Sequence, residues 1–205
     1  MKSHFNHLQS LTPVLSPGIT FFWGLMLLTA STSATLGQTS GKYMTRTGSA
    51  HFVADGVIKD DVAAKTNTVT AVLDPNTGQV QVRIPINSFV FRKALMQEHF
   101  NENYLESHQF PFANFKGQVA DWDAAMMQKS GNQKIKFTGK LEIHGISKDV
   151  VEPGTMELSG GQIRMSTDLM VTVADYGIKV PTLVRDKIAK EAAVHVEVHL
   201  KPSGQ

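Results

Sequence analysis

The side chains best arranged for chemistry lie near the C-terminus, at His195-Val196-Glu197-Val198-His199. Two imidazoles flanking a carboxylate in alternate positions are the donor types of a zinc site, and a metal-dependent enzyme could be built on them. The spacing argues against it. Alternate residues of a strand share a face and stand roughly 6.5–7 Å apart, which puts His195 and His199 roughly 13 Å from each other. Ligand bonds are about 2 Å long, so a straight strand cannot close both rings on one ion. The intervening Val194, Val196, Val198 and Leu200 are all apolar, so the valine face reads as buried and the His/Glu face as solvated. His99 and His108 are scattered, and His144, beside Gly145 at a strand end, reads as a turn residue.

Other catalytic patterns are missing. The chain has no cysteine, which removes thiol catalysis, thiolate zinc sites and disulfides. It carries no G-x-S-x-G elbow, G-x-G-x-x-G turn or phosphate-binding loop. Asp60-Asp61 and the Asp121/Asp123 pair fall in turn-like stretches where solvated surface is the default. The net charge of +2 comes from scattered lysines and arginines, without the basic stripe that nucleic acid requires. The expectation is a protein with no catalytic residues, metal or cofactor, and no nucleic-acid partner.

One cluster remains: Phe89, Phe91, Phe100, Tyr104, Phe110, Phe112 and Phe115 within a short stretch. Aromatic side chains supply large apolar contact area, so they could line the mouth of a ligand cavity. They could equally plug the end of a fold and pack a helix onto it.

The elements that would position these residues are mostly strands. Gln79–Ile86 alternates strictly, with Val80, Val82, Ile84 and Ile86 opposite Gln79, Gln81 and Arg83, and Pro85 suggests an end or an edge. Before it, Thr66–Leu73 ends in the turn Asp74-Pro75-Asn76-Thr77-Gly78. Similar runs occur at 114–122, 134–143, 148–158, 162–173 and 192–200, with Tyr43–Arg46 and Ser49–Val53 ahead of them. Helical periodicity is confined to Lys93–Leu105, which groups Met96, Phe100 and Tyr104 beside Leu95 and Leu105, and to Leu183–Lys190 after Pro181. Each alternating strand must bury one face, and two short helices cannot cover so many. The sheet must therefore curl on itself, and about eight strands make a barrel that is either filled or able to hold one small ligand. The predicted fold class is all-β, an antiparallel β-barrel with one or two short helices.

Ile19–Ala30 is strongly apolar but about a dozen residues long, short of the roughly 20 that span a bilayer. Small residues follow it, from Ser31 to Ala34 and at Gly37. This is the layout of a signal peptide over residues 1–37, leaving a domain at 38–205 with no stable membrane span and a periplasmic or secreted location.

The stretch 95–107 (LMQEHFNENYLES), with Phe110-Pro111 and Phe115-Lys116-Gly117 after it, resembles the central signature of the YceI-like family. So do Gly139–Lys148 (GKLEIHGISK) and Ala174–Pro181 (ADYGIKVP). The resemblance implies a lipocalin-like barrel, exported, that holds a long isoprenoid or other lipid chain. By position it implies Phe89, Phe91, Leu95, Met96, Phe100, Tyr104, Phe110, Phe115 and Tyr176 as the ligand pocket and its lid. The chain departs from the commoner pattern near Val53–Asp61, where Ala54, Asp55 and Gly56 read as a polar loop. The expected partner is an apolar small molecule, an isoprenoid or fatty-acyl chain. The rival reading is a stress-related or structural interaction module with a filled barrel and no bound lipid, whose mark would be an exposed apolar patch or a stable homodimer.

Overall fold

The structure, a computed structural model, describes residues 41–55, 62–180 and 188–203. Its elements are β1 (Tyr43–Asp55), β2 (Ala63–Leu73), β3 (Gln79–Pro85), β4 (Val90–Phe91), α1 (Ala94–His99), β5 (Phe112–Val119), β6 (Gly131–Ile143), β7 (Ile146–Ser159), β8 (Gln162–Thr172) and β9 (Ile188–Pro202). Every pairing is antiparallel. The eight longer strands run in the order β1-β9-β8-β7-β6-β5-β3-β2, and β2 pairs back onto β1 to close the barrel. The short β4 pairs with β2 at Ala64 and Lys65, beyond the reach of β3.

Local chemistry sets the turns. His144 and Gly145 both have positive φ (+52° and +74°), as do Gly160 and Gly161 (+57° and +74°). Two successive positive φ values match the twist of the flanking strands and allow a two-residue hairpin. In the β2–β3 turn, Asp74 Oδ1 accepts from Asn76 N–H at 2.9 Å and its carbonyl accepts from Gly78 N–H at 2.8 Å. The Trp122 indole lies on Gly78, where a Cβ would collide with it, and donates to the Pro75 carbonyl at 3.1 Å.

Packing differs between the barrel's two ends. Leu73, Val119, Met156, Ile163 and Leu200, all within reach of the β2–β3 and β7–β8 turns, are fully buried. Towards the other end, Leu141, Val150, Leu169, Val194 and Val196 face inward yet are only half-buried. Side chains fill one end and leave space at the other.

Several sequence expectations shift in detail. Tyr43–Arg46 and Ser49–Val53 form one strand, whose register slips on either side of Gly48. A Cβ on Gly48 would stand 2.7 Å from Val198 Cγ1, so the missing side chain lets β9 close there. Ala54 and Asp55 belong to β1 rather than to a loop, and Ala54 is buried; residues 56–61 lie outside the described ones. The helix over Lys93–Leu105 becomes six α-helical residues followed by a π-helical turn at Phe100–Tyr104. Leu105 N–H there donates to the Phe100 carbonyl at 2.9 Å, and the extra residue in that turn swings Leu105 into the interior. Of the expected helix Leu183–Lys190, the described part, Ile188–Lys190, opens strand β9. Its remainder lies outside the described residues, as does the apolar run 19–30 with its expected cleavage sites.

Candidate functional site: an apolar cavity at the open end

The underfilled end holds a cavity of ≈ 230 Å³ whose exposed surface is apolar. Six of the nine residues singled out by sequence contribute to its wall: Phe89, Phe91, Met96, Phe100, Tyr104 and Phe115. Each arrives for a local reason. Phe89 and Phe91 alternate inward through β4, and Met96, Phe100 and Tyr104 lie along the inner face of α1 and its π turn. Phe115 points in from β5, and apolar surroundings push the Tyr104 hydroxyl above its ordinary pKa.

Phe100 is the hub of this group. Its ring centroid stands 5.0 Å from Phe91, 5.8 Å from Phe89 and 5.3 Å from Phe52, on which it stacks. Phe52 also meets Phe89 and Phe91 edge-on at 5.2 and 5.7 Å. Sequence reasoning missed Phe52, although it alternates with Ala50 and Ala54 on a buried face. It likewise missed Phe137, which packs edge-on against Phe115 at 6.3 Å.

The other three expected residues stand apart from the wall. Leu95 is 63% exposed, because one helical step from Met96 turns it to the outside. Phe110 packs edge-on against the His144 ring at 4.5 Å and covers Gly145. Tyr176 is buried in a 3₁₀ turn (Val173–Tyr176) after β8, where burial and the negative charges of Asp175 and Glu152 push its hydroxyl pKa up.

The barrel is not uniformly sealed around the cavity. Strands β7 and β8 pair only from Gly154↔Thr167 to Ser159↔Gln162. Among the described residues nothing pairs with Ile146–Pro153 on its β8 side, and Asp168–Thr172 pair only with β9. Pro153 contributes to the break, since it has no N–H to donate; its carbonyl accepts instead from the Thr167 hydroxyl at 2.8 Å. Glu152 lies just past this break, and strand alternation places it with Val150 and Gly154 on the inner face, opposite Phe137. It is half-buried, and burial pushes its carboxyl above the ordinary range.

His144 fastens the rim. Its Nδ1 donates to the Tyr176 carbonyl at 3.1 Å, while its Nε2 stands 2.8 Å from Glu106 Oε2. Lys148 and Asp175 add an ion pair at 3.4 Å between the same segments.

The His195/Glu197/His199 face lies outside the barrel and is occupied by ion pairs. His195 meets Asp168 at 2.7 Å, and Glu197 accepts from Arg164 at 2.6 Å and contacts His199 at 3.1 Å. Among the described residues no group of three or more metal-binding side chains comes together, and none of their helices is long and apolar enough to cross a membrane.

The profile of the YceI-like domain matches residues 32–200. No curated protein sequence gives a significant match. Among solved structures, a polyisoprenoid binding domain from Saccharophagus degradans superposes with a TM-score of 0.67 at 16% identity, covering 79% of this chain and 98% of that one. BcnA of Burkholderia cenocepacia gives 0.59 at 20% identity, covering 75% and 94%. The Campylobacter jejuni YCEI protein gives 0.54 at 19%, covering 68% and 84%. At such identities the likeness is one of fold.

Proposed function

The chain belongs to the YceI-like family, and we propose that it is an exported, non-catalytic binding protein that holds an isoprenoid or other lipid chain inside its barrel, as carrier or store. The observation that carries this reading is the apolar cavity of ≈ 230 Å³ at the open end. An apolar cavity of about 150 Å³ already takes up benzene, so this one has room for a section of hydrocarbon chain. The rest of a longer chain would extend through the mouth.

The driving force is transfer of methylenes out of water, about 0.8 kcal/mol for each one buried. Ten give about 8 kcal/mol gross, equivalent to micromolar affinity before association entropy is subtracted, so useful binding needs a longer buried tail. The name of the S. degradans relative, a polyisoprenoid binding domain, supports the choice of chain. Export rests on the run Ile19–Ala30 and the small residues after it.

The test is uptake of the apolar fluorophore N-phenyl-1-naphthylamine and its displacement by prenols of increasing length. Saturable uptake, with displacement that strengthens with chain length, is expected. A protein that takes up neither probe nor prenol is a filled barrel, and the carrier reading is then wrong.

A further inference from the structure

The cavity takes an apolar chain, yet its wall includes one charged residue among those described, Glu152. Glu152 is half-buried at this wall, on the inner face of β7. The position coincides with the break in the barrel, since the pairing of β7 with β8 begins only at Gly154, two residues later. Among the described residues no group donates a hydrogen bond to the Glu152 carboxyl. Other polar groups of this region are engaged elsewhere, the Thr167 hydroxyl with the Pro153 carbonyl, Ser166 with Thr155 at 2.8 Å and Lys148 with Asp175, while the buried Tyr176 hydroxyl feels the Glu152 charge without a hydrogen bond to it.

A half-buried carboxyl with no hydrogen-bond partner among the described residues is a ready acceptor for a guest. In the strand order, β7 lies across the barrel from β2, next to which lie Phe91 of β4 and Phe89 just before it. The acid and the aromatic cluster therefore stand on opposite walls.

We propose that Glu152 anchors the polar end of the bound chain and selects a hydroxyl group, so that the preferred ligand is a long-chain alcohol of the prenol type rather than an anionic lipid. This rests on the carrier reading and adds the head group to it. The chemistry narrows the class. An ionised carboxylate repels a carboxylate or phosphate head. A head group that only accepts hydrogen bonds, such as a quinone or an ether, gains nothing from an ionised Glu152. A hydroxyl can donate to the ionised form and also accept from the protonated one, so it suits Glu152 in either state.

The test compares farnesol, its methyl ether and farnesoic acid as competitors of N-phenyl-1-naphthylamine, in the wild type, Glu152→Leu and Glu152→Gln. One hydrogen bond to a charged acceptor is worth about a factor of ten or more, so the wild type is expected to favour farnesol over the ether by about tenfold, and over the acid by at least as much. Glu152→Leu should collapse the alcohol-to-ether ratio to about one. Glu152→Gln should keep that preference, because the amide still accepts, and should relax the rejection of the acid. If the fluorophore binds but neither variant moves the ratios by more than about twofold, Glu152 is not the anchor, and the carrier reading stands without it. If the fluorophore enters none of the three proteins while all remain folded, both readings fall.

Discussion

His144 and Glu106, 38 residues apart in sequence, meet across the barrel mouth at 2.8 Å. The same imidazole donates through Nδ1 to the Tyr176 carbonyl. One side chain from the β6–β7 turn thus joins the segment after the π turn to the 3₁₀ turn after β8.

His144→Ala removes both contacts and the platform for Phe110. Leaving a partly buried carboxylate and a carbonyl without their donor is expected to cost about 1–3 kcal/mol. Denaturant unfolding checks the magnitude. Hydrogen exchange checks the location, with faster exchange expected at Ala174–Gly177 and little change at Met156 or Ile163 in the filled end.

Phe100→Ala deletes the hub that touches Phe52, Phe89 and Phe91. Phe100 is only half-buried, so a loss of about 2–3 kcal/mol is expected, towards the low side for phenylalanine truncation. Thermal unfolding should show it, together with weaker prenol binding, because α1 loses its hold on the barrel.

Val194→Phe tests the space itself. Val194 lies on β9 between Phe52 and Leu169, half-buried and facing the cavity. A ring placed there fills the void. The expected result is a folded barrel with stability close to wild type and at least tenfold weaker uptake of the naphthylamine probe.

Two carboxylates give opposite pH responses. The hydrogen bond from Arg164 holds the Glu197 carboxyl below its ordinary value of 4.5, burial opposes this, and a further hydrogen bond from His199 adds to it. A depressed folded pKa means stability that is present above the unfolded value and lost as the pH falls through the folded one. Because Arg164 is exposed, solvent screening keeps the contribution of the pair small. Glu152 has the other sign: its raised pKa means that ionisation costs stability as the pH rises from 4.5 through the folded value. Melting temperatures across pH 3–8 should show Glu197→Gln less stable than the wild type towards neutrality, the difference shrinking as the pH falls below 4.5 towards the depressed folded value. Over the same range Glu152→Gln should gain stability near neutrality and nothing at the acid end.

The barrel was readable from sequence because strand alternation is local: Val80, Val82 and Ile84 against Gln79, Gln81 and Arg83 require no knowledge of what packs on them. The aromatic group was readable as a cluster but not as a geometry. Phe52 lies far in sequence from the other rings of the cluster, and only the pairing of β1 with β2 and β9 brings it to Phe100. The π turn changes the phase of the helix after Phe100, which no regular period reveals. Glu152 was hidden for a different reason. In Val150-Val151-Glu152 both faces carry valine, so alternation does not say which way the acid points, and the β7–β8 break depends on a pairing made between distant residues.

The most direct measurement is native mass spectrometry of the protein purified from its own host without detergent, compared with the same sample after organic extraction. The expected result is a mass excess over the mature polypeptide that disappears on extraction and is recovered in the organic phase as a hydroxyl-terminated hydrocarbon chain. A bare polypeptide mass from every preparation, with no prenol complex even on addition of excess ligand, would contradict the account.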